Sequence, residues 1–144
     1  MIDSVKIIVC GQQDASKLAA ETKIKTSIIS ITSKGQKDVI FPDNPNILSI
    51  LHLKINDLIK EYDKEGLPYG GPLPEQEDLS GLKEFVDTLS CECLIIHCWE
   101  GISRSAAIAR AVYEYRGGID DVQTMNRVFP NNLVYDLACR ELGI

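Results

Sequence analysis

The run Ile95-Ile96-His97-Cys98-Trp99-Glu100-Gly101-Ile102-Ser103-Arg104-Ser105 constrains the fold of this chain more than any other stretch. An apolar, β-type segment ends in a cysteine, five residues intervene, and Arg104-Ser105 then opens a small-residue, largely apolar stretch, Ala106-Ala107-Ile108-Ala109. A strand that feeds a buried helix through a short loop belongs to a parallel β/α layer, because such a helix must pack back onto the sheet. The loop then lies at a strand's carboxyl end, where open α/β sheets build their sites.

The rest of the chain reads the same way. Strands are expected over 5–10, 26–32, a segment ending at Ile55, and 93–97, each rich in Ile, Val and Leu. Helices are expected over 14–23 with Asp14 as cap, from an Asp78 or Ser80 cap through Leu89, over 105–116, over 120–129, and over 133–142. The fourth rests on Asp120 and Gln123, spaced like a capping box, with Pro130 as its stop. Strands alternating with helices predict an α/β fold, a mainly parallel central sheet flanked by helices on both faces. At 144 residues and 44% hydrophobic content, the chain has material for one substantial core, so residues 1–144 are expected to form one domain.

The loop carries chemistry. Trp99, Glu100, Gly101, Ile102 and Ser103 supply enough backbone to curl into a nest of inward N–H groups around a tetrahedral anion. Gly101 allows the tight turn and a close approach of backbone to ligand. Arg104 offers a planar fork to two phosphoryl oxygens, which lysine could not do. Cys98 is the candidate nucleophile: a free thiol titrates near ~8.5, and a nest, a cation and a helix N-terminus lower that to roughly 3.5–7.5. Ser105 can point its hydroxyl at the Cys98 sulfur and stabilise it as a leaving group. A phosphoryl transfer also needs an acid for the leaving oxygen, typically worth ~10²–10⁴-fold. Asp57 is the candidate, since it follows the strand ending at Ile55 and so stands at a strand's carboxyl end. The stretch from Leu58 to Asp78, rich in Gly and Pro, is long for a connection and reads as a lid. Asp63, Glu75, Glu77 and Asp78 in or beside it are rival acids.

His97-Cys98, Arg104 and Ser105 match the His-Cys-x5-Arg-Ser/Thr signature, and at these residues the chain resembles the cysteine-dependent protein tyrosine phosphatase superfamily. It is most similar to the compact dual-specificity-like branch, and there to small bacterial predicted tyrosine phosphatases, from whose loop it differs in having Glu100. The strand ending at Asn56-Asp57 and the Pro130-Asn131 segment extend the resemblance over most of the chain. It implies a phosphatase fold, a phosphocysteine intermediate, and phosphotyrosine proteins or dual-specificity substrates, with a small phosphomonoester as the minimal one. The related phosphatases carry their acid after the equivalent strand, in a loop that closes over substrate. Two other readings stand beside hydrolysis. One is a phosphate-binding pseudophosphatase; the other is the same loop acting on an inositol phosphate, an RNA 5′-phosphate or arsenate.

Several residues have plainer roles available. His97 alternates away from Cys98 in an extended strand and reads as a prop for the loop rather than a base. Trp99 is either a cleft wall or packing, and Glu100 either shapes substrate preference or meets solvent. Asn131 either braces the loop or caps the last helix. His52 reads as a partly buried strand residue with a satisfied ring nitrogen. Five cysteines, at 10, 91, 93, 98 and 139, with no Cys-x2-Cys pair, fit reduced thiols better than a disulfide framework or zinc site. A low-pKa Cys98 would oxidise first, with Cys10 on a neighbouring strand to trap it. No metal or cofactor is expected. A net charge of −6 disfavours nucleic acid and anionic membrane as partners. No apolar run approaches the ~20 residues of a membrane span, and the start Met1-Ile2-Asp3-Ser4 lacks a signal-peptide pattern. A cytoplasmic location is expected.

Overall fold

The structure is a computed structural model that describes residues 3–60, 65–67 and 70–144. The chain runs β1 (Lys6–Cys10), α1 (Gln12–Glu21), β2 (Thr26–Thr32), β3 (Ile47–Lys54), a 3₁₀ turn (Gln76–Leu79), α2 (Leu82–Asp87), β4 (Cys93–His97), α3 (Arg104–Tyr115), β5 (Asp121–Thr124) and α4 (Asn132–Leu142). The five strands form one sheet in the order β3-β2-β4-β1-β5 with every pairing parallel, the expected α/β arrangement.

Side-chain alternation along the strands assigns the two faces. Ile7 and Val9 of β1, Ile29 and Ile31 of β2, and Leu94 and Ile96 of β4 join one buried cluster with α2, α3 and α4. Their neighbours Cys10, Ile28, Cys93 and Ile95 join a smaller one with Ala15 and Ala19 of α1. β1 and β4 are adjacent, yet β1 leads to α1 on one face and β4 to α3 on the other. Their connections diverge, and a crevice opens between the two carboxyl ends. That crevice holds the 98–104 loop.

Four sequence expectations are corrected. Helix α1 starts at Gln12 rather than Asp14, after Gly11, with no side-chain cap. Its Gln12 N–H instead donates to Trp99 O (3.1 Å), and Asp14 sits in the first turn, where the helix dipole favours it. The helix expected to run through Leu89 is split: Gln76–Leu79 is a 3₁₀ turn and α2 begins only after Gly81, whose φ of 90° interrupts the helical path. Residues 121–124 are a strand, not a helix. Asp120 is not free to cap, since it accepts Val5 N–H (2.9 Å) and pairs with Arg116, and the open edge of β1 offers the following residues a hydrogen-bonding partner. His52 is more exposed than expected, its Nδ1 3.9 Å from Asp38 Oδ1, beyond hydrogen-bond range. Among the described residues, no helix is long and apolar enough to cross a membrane.

Candidate functional site

The loop leaves β4 at His97 and enters α3 at Arg104, so its geometry is fixed by two regular elements. Gly101 lies against the β1–α1 turn with φ +74°; a Cβ there would overlap the Cys10 carbonyl carbon and stand 2.5 Å from Gly11 N. Only glycine fits that contact. A strap also runs over the loop from β5, the neighbour of β1, to α4. Met125 N–H donates to Val9 O (3.0 Å), Phe129 N–H to Ile102 O (2.9 Å) and Asn131 N–H to Ser103 O (3.2 Å). Asn126 adds a side-chain bond, Nδ2 to Glu100 O at 2.9 Å. The loop's carbonyls are thereby drawn outward, as a nest of inward N–H groups requires.

Cys98 is buried, and its sulfur lies 3.1 Å from Ser105 Oγ. Burial is the largest influence on this thiol and opposes ionisation. Hydrogen bonds from the Ser105 hydroxyl and from the backbone of Ser105 and Gly101, with the charge of Arg104, outweigh it and lower the pKa below the ordinary thiol value. Cys10 goes the other way, pushed up to about 12 by burial first, then by Asp14, Cys98 and Cys93. The two thiols group with different buried clusters, yet Cys98 stands near enough to Cys10 to add to the rise of its pKa.

Arg104 is 6% exposed. One terminal nitrogen, Nη1, donates to Ser33 Oγ (3.0 Å) and to Ile55 O (2.9 Å), acceptors supplied by the loops after β2 and β3. Its Nε is buried and has no partner. Such an orphaned charged donor costs free energy until an acceptor arrives.

His97 is fully buried in the α1-side layer, edge-on to Phe41 at 5.7 Å between ring centroids. Nδ1 lies 3.1 Å from Cys98 O and Nε2 2.7 Å from Ser30 Oγ. A carbonyl can only accept, so Nδ1 carries the proton and Nε2 receives the Ser30 hydroxyl. Burial, foremost, and the charges of His52 and Arg104 lower its pKa against the opposing pull of the Cys98 carbonyl. The ring is a neutral prop that locks the loop's entry.

Asp57 stands at the mouth. Its Oδ1 accepts from Ser103 Oγ (2.8 Å) and from Asn131 Nδ2 (2.9 Å). Asn131 fills both of its expected roles: its Oδ1 caps α4 at Val134 N–H (3.0 Å), while its amide also holds Leu58 O (3.1 Å). Asp57, Cys98, Trp99, Glu100, Ile102, Ser103 and Arg104 together line a pocket of about 180 Å³. Trp99 is 62% exposed and thus a wall of this pocket rather than packing. The rival acids among the described residues lie elsewhere. Asp78 binds Lys34 (3.1 Å) and Glu75 N–H, and Glu75 returns the bond to Asp78. Glu77 does not line the pocket, and Asp63 lies outside the described residues, as does part of the expected lid.

Ser33, the Ile55 carbonyl, Ser30 and Asn126 were not anticipated from sequence. Ser33 alone carried a signal, its place just past the carboxyl end of β2. A larger open groove of about 1130 Å³ at the other end of the strands, beside Lys25, Cys91 and Arg116, shares no residue with the loop. Among the described residues, no group of three or more His, Cys, Asp or Glu side chains is placed to hold a metal ion. Comparison with models of known families, with curated proteins and with solved structures finds no match.

Proposed function

We propose that this chain is a cysteine-dependent phosphomonoester hydrolase, with a phosphorylated protein side chain or a small aryl phosphate as substrate. One observation carries the reading: a thiol of lowered pKa and a buried guanidinium with an unfilled Nε share one small pocket. That pairing suits a tetrahedral dianion, which the sulfur meets at phosphorus and the guanidinium meets at oxygen.

In the first step the Cys98 thiolate forms an S–P bond as the P–O bond to the leaving group breaks. Asp57 gives its proton to that oxygen from Oδ2, since Oδ1 is occupied by Ser103 and Asn131. The loop N–H groups and Arg104 hold the three equatorial oxygens as charge spreads over them. In the second step Asp57, now ionised, takes a proton from water as the water oxygen attacks phosphorus. The S–P bond breaks, the Ser105 hydroxyl donates to the departing sulfur, and inorganic phosphate leaves. A reducing, cytoplasmic setting suits the thiolate.

Hydrolysis of p-nitrophenyl phosphate tests the reading. The wild type should turn over, Cys98→Ser should be inert, and Asp57→Asn should lose ~10²–10⁴-fold on an alkyl leaving group while still binding phosphate. Phosphate or vanadate binding by the wild type, with no turnover of any phosphomonoester, would make it a binding module instead.

A further inference from the structure

We infer that the Glu100 carboxylate is a specificity-determining group, which turns the site away from polyanionic phosphates and toward phosphoryl groups on peptide segments with basic or apolar flanks. The inference rests on the hydrolase reading above. Glu100 lines the pocket and its side chain is exposed. Its backbone is held on three sides: Asn126 binds its carbonyl, Trp99 O accepts from Gln12, and Gly101 is wedged against Cys10 and Gly11. The backbone that carries the carboxylate is therefore fixed beside the pocket. Among the described residues, no cation lies within ion-pair distance of it.

The charge at the site is thus layered. Arg104, 6% exposed, lies at the floor with its open Nε, while Glu100 and Asp57 stand at the mouth. One phosphoryl group satisfies the floor. A second phosphate on the same small molecule, or the next phosphate of a nucleic acid, would sit at the mouth against Glu100, and the net charge of −6 repels such ligands at longer range. Asp57 is neutral when it acts as acid, so Glu100 supplies the charge that persists through the first step. Beside these carboxylates Trp99 and Phe129 are each 62% exposed; Phe129 is tied to the loop at Ile102, and the Arg127 guanidinium lies 5.3 Å from the centre of its ring. Flat aromatic faces and a carboxylate complement the side chains and cations of a peptide.

The test is a set of phosphotyrosine peptides matched except for Lys or Glu beside the phosphorylated residue, run alongside an inositol polyphosphate, a 5′-phosphorylated dinucleotide and p-nitrophenyl phosphate. Lys-flanked peptides should exceed their Glu-flanked partners in kcat/KM by roughly two- to fivefold per charge. The ratio should shrink at high salt, fall in Glu100→Gln and invert in Glu100→Lys. Equal rates for the peptide pair, a ratio that survives Glu100→Lys, or faster turnover of the polyphosphate would overturn the role of Glu100 while leaving the hydrolase reading intact. No turnover of p-nitrophenyl phosphate would overturn the hydrolase reading itself, and the inference with it.

Discussion

An arginine stands at each end of helix α3, Arg104 as its first residue and Arg116 as its C-cap, and the two are held in opposite ways. Arg116, at the carboxyl end, has a side chain 9% exposed and meets a carboxylate that is wholly buried. Its Nε lies 2.8 Å from Asp120 Oδ2, and Nη2 bonds Asp120 Oδ1 (3.3 Å) and Asp3 O (2.7 Å). Arg104, at the amino end, is 6% exposed and, among the described residues, bonds only the neutral oxygens of Ser33 and Ile55. The helix dipole favours a cation at the carboxyl end and disfavours one at the amino end. Arg116 therefore has everything a structural cation needs, and Arg104 lacks an anion. An unpaired buried charge is costly, so the fold tolerates Arg104 where a phosphoryl group would complete its set.

The strongest test exchanges the two behaviours. Arg104→Lys keeps the charge and loses the fork, so kcat/KM on an aryl phosphate should fall roughly 10³-fold, with little change in the urea midpoint. Asp120→Ala should do the reverse, leaving a buried guanidinium unpaired and removing the acceptor of Val5 N–H. A loss of about 3–5 kcal/mol in unfolding free energy is expected, with the folded fraction still turning over. Phosphate or vanadate should raise the melting temperature of the wild type, by mass action on the folded state, and not that of Arg104→Lys. If Arg104→Lys unfolds as readily as Asp120→Ala, the contrast between the arginines fails.

A smaller effect should follow from Ser105→Ala. In the proposed mechanism turnover needs the Cys98 thiolate, whose population falls as pH falls through its pKa, so the acid limb of kcat/KM would mark that pKa. Burial already opposes ionisation of this thiol; without the Ser105 hydroxyl, which offsets it, the pKa climbs. One hydrogen bond to a charged group is worth ~1.5–3 kcal/mol. The limb should thus move up by roughly one to two pH units, as should the pH at which iodoacetamide alkylates Cys98. Cys10 and Cys93 provide the internal control: burial foremost pushes their thiols up to about 12 and about 11, so they stay unreactive at neutral pH. An unmoved limb would show that Ser105 does not act on the sulfur.

The same contrast explains what could be read without coordinates. The β4–loop–α3 unit was legible because each level agrees: a strand buried at every position, glycine where the loop meets the β1–α1 turn, and an apolar helix behind. The place of Asp57 at the pocket was legible because a strand's carboxyl end has positional meaning. The segment 120–129 misled because Asp120 and Gln123 satisfy a local capping pattern, while the partners that claim Asp120 are Arg116 and the Val5 N–H, one of them 115 residues away. Nothing local encodes the open edge of β1 that recruits residues 121–124. The anchors of Arg104 were hidden for a similar reason. Ile55 acts through a carbonyl, which has no residue identity, and Ser33 is 71 positions from the arginine it holds.

Those anchors set the smallest expected effect. Arg104 Nη1 divides its hydrogen bonding between Ser33 Oγ and Ile55 O, so Ser33→Ala leaves one anchor in place and the guanidinium still facing the pocket. Losing one hydrogen bond to a neutral hydroxyl is worth ~0.5–1.5 kcal/mol, which amounts to roughly a two- to tenfold drop in kcat/KM on an aryl phosphate. The acid limb should stay where it is, since Ser33 is not among the groups that set the Cys98 pKa. The urea midpoint should barely move, in contrast to Asp120→Ala, because the oxygen removed is only partly buried. Ser33→Thr, which restores a hydroxyl, should recover most of the rate. If Ser33→Ala instead costs as much as Arg104→Lys, the Ile55 carbonyl cannot orient the guanidinium alone, and Ser33 is the anchor on which the fork depends.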